Sequence, residues 1–382
     1  MAATPKWAGY DPHPILQRPS FPPRSRWRKP VTGLTIKRLI LSLAITGISL
    51  GTSFGVSLHT AAAQDAQKLE KDPDVLNFGI ISTESSENLR DQWEPFLKEM
   101  ELATGLRVKP FFSTDYAGII EAMRFAKVHI AWMGNKAAIE AVDRANAEVF
   151  AKLTRKDGSD GYFSYILTNA DNGGANSLSD MFKQCGTGLN FGIGDPNSTS
   201  GNLVPSYYVF AQNKVDPRSC FKTVRAGSHE ANFAAVANKL VDYATNNSEE
   251  LNRVKANDPA LAKKVKVIWT SPVIANDPIL YRKDLSPDLK DKIHAFFLSF
   301  GRIGSPGEVA KAREILAKMN DGYGPFTDSD NTQLYETREL NLFTKKLAVQ
   351  NDGGLSDGDK STRLADLDKQ LDTLRLLETQ TR

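Results

Sequence analysis

Three neutral hydroxyl residues stand in a row at Ser198-Thr199-Ser200, inside the stretch GDPNSTSG (194–201), with no Lys or Arg beside them. The strand-like run LNFGI precedes them, and the longer apolar segment NLVPSYYVFAQN follows. They therefore fall where a strand gives way to a helix. A helix start presents unpaired backbone N–H groups and the positive end of the helix dipole. Hydroxyl donors at that point complete a neutral receptor for a tetrahedral oxyanion, such as a phosphoryl or phosphonyl group. An ordinary N-cap needs a single hydroxyl, and three in succession exceed that need.

Other candidates follow from strand ends, because ligands of open α/β sheets bind beyond the carboxyl ends of the strands. Tyr116 follows one strand-like run, and its hydroxyl can donate to the same anion; the plainer reading is a half-buried tyrosine at a sheet edge. His229 follows another and can donate to an anion oxygen or titrate near neutrality; the plainer reading is structural. Glu249 and Asp277 only accept hydrogen bonds when ionised, so they would repel a bare phosphate. They make sense beside a ligand that also carries a cation, such as an amine. Otherwise Glu249 is a helix-cap residue and Asp277 a turn residue before Pro278.

The elements that must position these residues alternate between strand-like and helix-like runs. VLNFGIIS (75–82), LRVKPFFS (106–113) and VHIAWMG (128–134) read as strands. SENLRDQWEPFLKEMELATG (86–105) carries apolar residues at Leu89, Trp93, Phe96, Leu97 and Met100, a helical stripe stopped by Gly105. The β-α-β-α order predicts a parallel sheet covered on both faces. A second such series follows from GYFSYILTN (161–169) to VKVIWTS (265–271). The expected fold class is therefore α/β in two lobes: 72–163 as the first part of lobe 1, 164–268 as lobe 2, and 269–345 as the return to lobe 1. A chain that crosses twice between lobes leaves a cleft that closes by hinge motion. Residues 346–382 form a helical tail, in which Leu364, Leu367, Leu371 and Leu374 make a short 3-4-3 seam. The seam suits packing on its own lobe or a contact between two copies.

Composition narrows the class further. The 382-residue chain carries a formal net charge of +3, but its first 63 residues hold eight Lys or Arg against one acid, Asp11. The remainder has 40 basic and 44 acidic residues. A mildly acidic body argues against nucleic acid as a partner. Residues 1–63 follow the order of a secretory signal peptide, with a basic leader, the apolar run 39–58, and Ala61 and Ala63 at a cleavage-site spacing. A retained membrane anchor is the rival reading. Cleavage would deliver a soluble periplasmic protein. Cys185 and Cys220 are the two cysteines; in an oxidising compartment they form a bridge or stand as separate buried thiols. No metal or other cofactor is expected. An enzyme would need an activated nucleophile or a metal cluster. Ser198 lies in no Gly-x-Ser-x-Gly elbow, and there is no Gly-Lys-Ser/Thr phosphate loop. A binding module that feeds an importer and a sensory adaptor on the same fold both remain compatible with these residues.

Several blocks together are recognisable: LNFGIISTES, TDYAGIIEAMRFAKVHIAW, EAVDRANAEVFA, FGIGDPNSTSGNLVPSYYVF, AGSHEANFAAVANKLVDYATNN and VIWTSPVIANDPILYRKDLS. From about residue 75 to 345 the chain resembles the phosphonate-binding periplasmic proteins, the substrate-binding components of phosphonate ABC importers. The resemblance implies a two-lobed type II periplasmic binding protein without catalytic activity, a phosphonate ligand and an inner-membrane permease as partner. It implies that Ser198, Thr199 and Ser200 clamp the phosphonate with Tyr116 and His229. It also implies that Tyr162, Glu249 and Asp277 hold the amine of 2-aminoethylphosphonate, with Glu250 competing for the place of Glu249. It favours a homodimer contact for the leucine seam. Met133 and His129 depart from the family's usual pattern, and Met133 is expected to reshape the cleft wall.

Overall fold

The computed structural model describes residues 66–159, 161–319 and 322–381. The expected signal peptide lies outside the described residues. The chain begins with β1 (Val75–Ile80), α1 (Ser86–Thr104), β2 (Arg107–Phe112), α2 (Tyr116–Arg124), β3 (Ile130–Trp132), α3 (Asn135–Arg144) and β4 (Ala147–Arg155). A two-residue strand, β5 (Gly161–Tyr162), leads to β6 (Ser164–Asn169), α4 (Leu178–Lys183) and β7 (Asn190–Gly194). Two wide turns, Thr199–Leu203 and Ser206–Ala211, precede α5 (Pro217–Cys220), β8 (Thr223–Gly227) and α6 (His229–Ala237). Then come β9 (Tyr243–Asn247), α7 (Ser248–Asn257), α8 (Pro259–Ala262) and β10 (Val265–Thr270). The short β11 (Ile274–Ala275) leads back to β12 (Pro278–Arg282), α9 (Pro287–Ser299), α10 (Pro306–Lys318) and β13 (Tyr323–Asp328), and α11 (Tyr335–Asn351) and α12 (Asp357–Thr381) end the chain.

Apart from β5 and β11, the strands form two sheets. One has the order β13-β4-β12-β3-β1-β2, the other β10-β6-β9-β7-β8. Neither is wholly parallel, which corrects the sequence expectation. β1 runs parallel to β2 and β3, but β12 pairs antiparallel with β3 and β4, and β13 antiparallel with β4. In the second sheet β7 runs parallel to β8 and β9, whereas β6 pairs antiparallel with β9 and β10. The strands that run against the others are β6, which enters lobe 2, β12, which returns to lobe 1, and β13, which follows two helices later in lobe 1.

The two crossings pair with each other. Tyr162 lies opposite Ile274, and Gly161 opposite Ala275, in a ribbon of two antiparallel strands. The ribbon requires glycine at 161, because a Cβ there would sit 2.2 Å from the Ile274 carbonyl oxygen. A two-residue ribbon between two sheets is a natural hinge, since it concentrates the rotation in a few backbone torsions.

Each lobe has its own core. In lobe 1 the α1 stripe of Leu89, Trp93, Phe96, Leu97 and Met100 is buried against β1, β3 and α9. Full burial of each such side chain is worth roughly 1.5–3 kcal/mol. Ser85 caps the helix by accepting from the Asn88 N–H, and Gly105, at φ 70°, ends it. Met133 belongs to this core and is fully buried in it. His129 is structural too: its Nδ1 accepts from the Asn77 N–H at 3.0 Å, which ties β1 to β3. In lobe 2 one sheet face buries Phe191, Phe210, Phe221 and Tyr243, and the other Phe233, Val236, Leu251 and Val254. Three leucines of the tail seam, Leu367, Leu371 and Leu374, are buried with Leu342 of α11. The seam is thus filled within the chain, while Leu376 and Leu377 of α12 remain exposed.

Cys185 and Cys220 are joined by a disulfide across a sequence separation of 35 residues. It ties the loop after α4 to α5, beside Phe221 of the lobe 2 core. Replacing both cysteines with alanine is expected to lower unfolding stability by about 2–4 kcal/mol. Urea titration of the two proteins checks this. An unchanged midpoint would mean that the crosslink does not constrain the unfolded chain.

Candidate binding site between the lobes

The hydroxyl run is placed by a close approach of backbone. A Cβ at Gly194, the last residue of β7, would lie 2.5 Å from the Gly201 Cα. Glycine at both positions lets the chain fold back against the strand it has just left. The turn that results is wide: the Leu203 N–H donates to the Ser198 carbonyl at 3.0 Å, five residues back. It is therefore a π-helical turn rather than the α-helix start expected from the sequence, and such turns recur at functional sites. Ser198 caps it, its Oγ accepting from the Gly201 N–H at 2.9 Å. Side chains from β6 and β9 take up its carbonyls. The Ser164 hydroxyl donates to the Ser200 carbonyl at 2.6 Å, and the Thr245 hydroxyl to the Gly201 carbonyl at 2.6 Å.

All eight residues singled out from the sequence are buried. Tyr116, Tyr162, Ser198, Thr199, Ser200, His229, Glu249 and Asp277 are each at most 6 % exposed. They come from both lobes and from the hinge, so their joint burial means that the lobes are closed on one another. Thr199 Oγ1 accepts from the Lys136 N–H at the start of α3, at 2.9 Å, across the cleft. The Tyr116 N–H donates across it to Asp195 at 3.2 Å, and the Tyr116 side chain lies near Ser198. Ser200 Oγ lies 3.4 Å from both His229 Nε2 and Asn247 Nδ2.

The carboxylates gather on the other side of Thr199. A side-chain carbon at Gly134 would sit 3.2 Å from Thr199 Oγ1 and 3.8 Å from Asp277 Oδ1, so the hydroxyls and this carboxylate border one point. The Tyr162 hydroxyl donates to Asp277 Oδ1 at 3.1 Å. Glu249, in the first turn of α7, pairs with Arg155 at 2.5 Å. Glu250 turns away and pairs with Arg253, so of the two adjacent glutamates only Glu249 joins this group. Burial, reinforced by the nearby Glu249 charge, pushes the Asp277 carboxyl well above the usual carboxylate range. The Tyr162 hydroxyl, Arg155 and the Trp132 indole act in the opposite direction. The same burial, with the Asp277 charge beside them, pushes the Tyr116 and Tyr162 phenols upward, so both remain hydroxyl donors.

Burial alone lowers the His229 pKa from 6.5 to about 4, which leaves the imidazole neutral at pH 7. Its Nδ1 is buried without a hydrogen-bond partner, as is Thr83 Oγ1. The Trp132 indole N–H reaches toward Asp277 without good hydrogen-bond geometry. Buried polar atoms of this kind are few in native proteins and call for a partner.

Sequence reasoning missed Arg155 and Arg253; Asn247, Glu84 and Glu230 follow strand ends and so are expected at the cleft, but without a role, and the two glutamates belong to a clasp at its outer edge. In the clasp Arg253 of lobe 2 pairs with Glu250 and, at 3.2 Å, with Glu84 of lobe 1. Glu230 accepts there from the Ser85 N–H and from the Asn88 amide, both at 2.7 Å. Burial pushes the Glu84 carboxyl up to about 7, against the pull of Arg253. A 940 Å3 opening beside the clasp is lined by Glu84, Asp115, Asp195, Ser228 and Glu230. The readable signal was position: Glu84 and Glu230 both follow strand ends, as the hydroxyl run does.

Comparisons with known proteins agree with this architecture. The family described as ABC transporter, phosphonate, periplasmic substrate-binding protein matches residues 78–334. A phosphonates-binding periplasmic protein of Escherichia coli (strain K12) is 47% identical over 337 residues, spanning 88% of this chain and 94% of that protein. The solved structure of a binding protein component of an ABC phosphonate transporter from Pseudomonas aeruginosa superposes with a TM-score of 0.76 at 47% identity. That match covers 81% of this chain and 99% of the other. PhnD1 from Prochlorococcus marinus (MIT 9301), solved in complex with methylphosphonate, shares the fold at 21% identity and a TM-score of 0.62, covering 72% of this chain and 99% of its own. The fold is that of type II periplasmic binding proteins with an added C-terminal helical region. This chain belongs to the periplasmic substrate-binding proteins of phosphonate ABC transporters, a family that carries ligands and does not transform them.

Proposed function

We propose that this chain captures 2-aminoethylphosphonate, or a closely related aminoalkylphosphonate, and delivers it to an inner-membrane ABC permease. The phosphonate end goes to Ser198, Thr199 and Ser200, with Tyr116 and His229 as further donors. The amine end goes to Asp277, Glu249 and Tyr162. One observation carries this reading: a buried carboxylate, Asp277, borders the same point as the Thr199 hydroxyl. Neutral donors suit an anion, and a desolvated carboxylate beside them suits a cation on the same molecule. Inorganic phosphate or phosphite brings no cation for that carboxylate.

Closure follows from the same contacts. A ligand shifts the open-closed balance only by its differential affinity for the closed form. The hydroxyls belong to lobe 2, Tyr116 and Asp277 to lobe 1 and its border with the hinge, so a ligand bound to all of them favours closure.

Three outcomes are expected. Thr199→Val removes one anion donor and one cross-cleft acceptor. It should weaken phosphonate binding by about 1.5–3 kcal/mol while leaving the circular dichroism spectrum unchanged. Calorimetry that finds the same affinity would reject the assignment. Asp277→Asn should cost 2-aminoethylphosphonate about 10–100-fold and methylphosphonate little, because only the first brings an ammonium group. A thermal-shift panel of 2-aminoethylphosphonate, methylphosphonate, phosphite and phosphate reads both the preference and its loss, and equal losses would show that the carboxylate does not face an amine.

The third outcome concerns pH. His229 titrates near 4 when folded and near 6.5 when unfolded. Between those values only the unfolded chain takes up the proton, so this residue makes stability fall as pH drops from about 6.5 toward 4. Glu84 acts in the opposite sense: its carboxyl keeps its proton up to about pH 7 when folded, and the stability this contributes is lost as pH rises from 4.5 through 7. The His229→Gln variant isolates the first effect. Its stability should change less than the parent's over pH 6.5 to 4, by about 2–4 kcal/mol. Parallel stability curves for the two proteins would mean that His229 is not buried in its neutral form.

A further inference from the structure

We propose that Arg155 sets the preference for aminated over plain alkylphosphonates, acting as a positioning residue through Glu249. This rests on the amine-end reading above. Arg155 is the last residue of β4 in lobe 1, and Glu249 opens α7 in lobe 2. Their side chains meet at 2.5 Å and are each 8% exposed. The same guanidinium donates from Nε to the Gly161 carbonyl at 3.2 Å, on the hinge ribbon. It also lies 5.9 Å from the centre of the Tyr162 ring, whose hydroxyl holds Asp277. One cation thus touches the hinge backbone, the ring that positions Asp277, and the second carboxylate.

A buried ion pair is a weak device for stability alone, because desolvation of both charges offsets much of their attraction. Its geometry explains more. The planar fork of arginine fixes the direction of the carboxylate it binds, which a lysine ammonium does not. Here it supplies a fixed counter-charge for Glu249 and holds it facing Asp277, so that the two carboxylates do not simply repel each other in the closed cleft. Arg155 belongs to lobe 1 and Glu249 to lobe 2, so in the closed form their pair spans the cleft. The amine end is therefore completed by closure, and a ligand without an amine gains nothing from that completion.

The test measures dissociation constants for 2-aminoethylphosphonate and ethylphosphonate, two ligands that differ by the amine. Their ratio is read in the parent protein, Arg155→Gln, Arg155→Lys, Glu249→Gln and the Arg155→Gln/Glu249→Gln double variant, with melting curves for each. The parent should prefer the aminated ligand. Arg155→Gln should lower that preference about tenfold, the scale of one charge-assisted hydrogen bond, and Arg155→Lys should restore part of it. With Gln at 249, removing Arg155 should not lower the ratio further, because its effect runs through that carboxylate. This last pair keeps the test open if the single Arg155→Gln protein fails to fold, since the double variant removes both charges of the buried pair together. A parent without preference would overturn the amine reading, and this inference with it. A parent preference that survives Arg155→Gln while both affinities fall together would overturn this inference alone and leave Arg155 a hinge strut. A ratio that falls further in the double variant than in Glu249→Gln would overturn it as well.

Discussion

The site depends on two backbones touching at Gly194 and Gly201. With any side chain at either position, β7 and the turn that follows it would be pushed apart. The turn would then lose its carbonyl bonds to Ser164 and Thr245, and with them its seat on β6 and β9. Ser198, Thr199 and Ser200 would move out of the cleft together. The placement of the whole hydroxyl run follows from that contact. The wide turn aims three consecutive side chains to the places the lobe 2 sheet and the lobe 1 helices leave for them. Thr199 reaches Lys136 across the cleft, and Ser200 faces His229 and Asn247.

Closure is built from contacts of different kinds at different distances from the hinge. Near the ribbon, Arg155 and Glu249 form a buried pair. At the centre, backbone N–H groups of lobe 1 donate to Thr199 and Asp195 of lobe 2. At the outer edge, Arg253 gathers Glu84 and Glu250 while Glu230 receives Ser85 and Asn88. Each such contact has a net worth of about 0.5–3 kcal/mol once water is counted. Carrier proteins must also reopen, so a closed form held by a handful of modest polar contacts is more useful than one held by a hydrophobic interface. The large cores stay inside the lobes, while a small apolar cluster of Tyr162, Val204 and Ile274, with Leu340 of α11 packed against it, adds to the polar contacts beside the hinge.

The elements with local signals could be read in the sequence. The α1 stripe, the αL glycine that ends it, and the hydroxyl run after β7 each declare themselves within about twenty residues. Of the eight residues in the buried group, Tyr116, His229, Glu249 and Asp277 could be placed at strand ends but had plainer structural readings beside them, and Tyr162 entered only through the resemblance. What depends on distant partners could not be read. β4, AEVFAKLTR, mixes charged and apolar residues and follows α3 closely, so its pattern does not separate it from a helix end. Its neighbours, β12 and β13, lie more than a hundred residues away and run against it. Arg155 escaped for the same reason, since its partner is 94 residues distant. The leucine seam specified an apolar partner but not which one, and α11 fills it only because the fold brings that helix alongside. The two cysteines were equally silent until α4 and α5 were placed.

The absence of Lys and Arg from the hydroxyl run has a physical reason if the ligand is a zwitterion. Asp277 borders the same point as Thr199. A cationic side chain at 198–200 would reach Asp277 and neutralise it in the empty protein. The pocket would then be occupied by its own ion pair, and a ligand would have to break that pair before binding either end. Neutral hydroxyls do not compete in this way, because they donate to an anion without discharging the carboxylate beside them. The arginine that does enter the group, Arg155 at the end of β4, is matched to Glu249, which on the zwitterion reading leaves Asp277 for the ligand. A receptor for both signs of charge within a few ångströms must keep its own charges from pairing across the gap, and dividing the work between alcohols, one spare carboxylate and one matched pair achieves that.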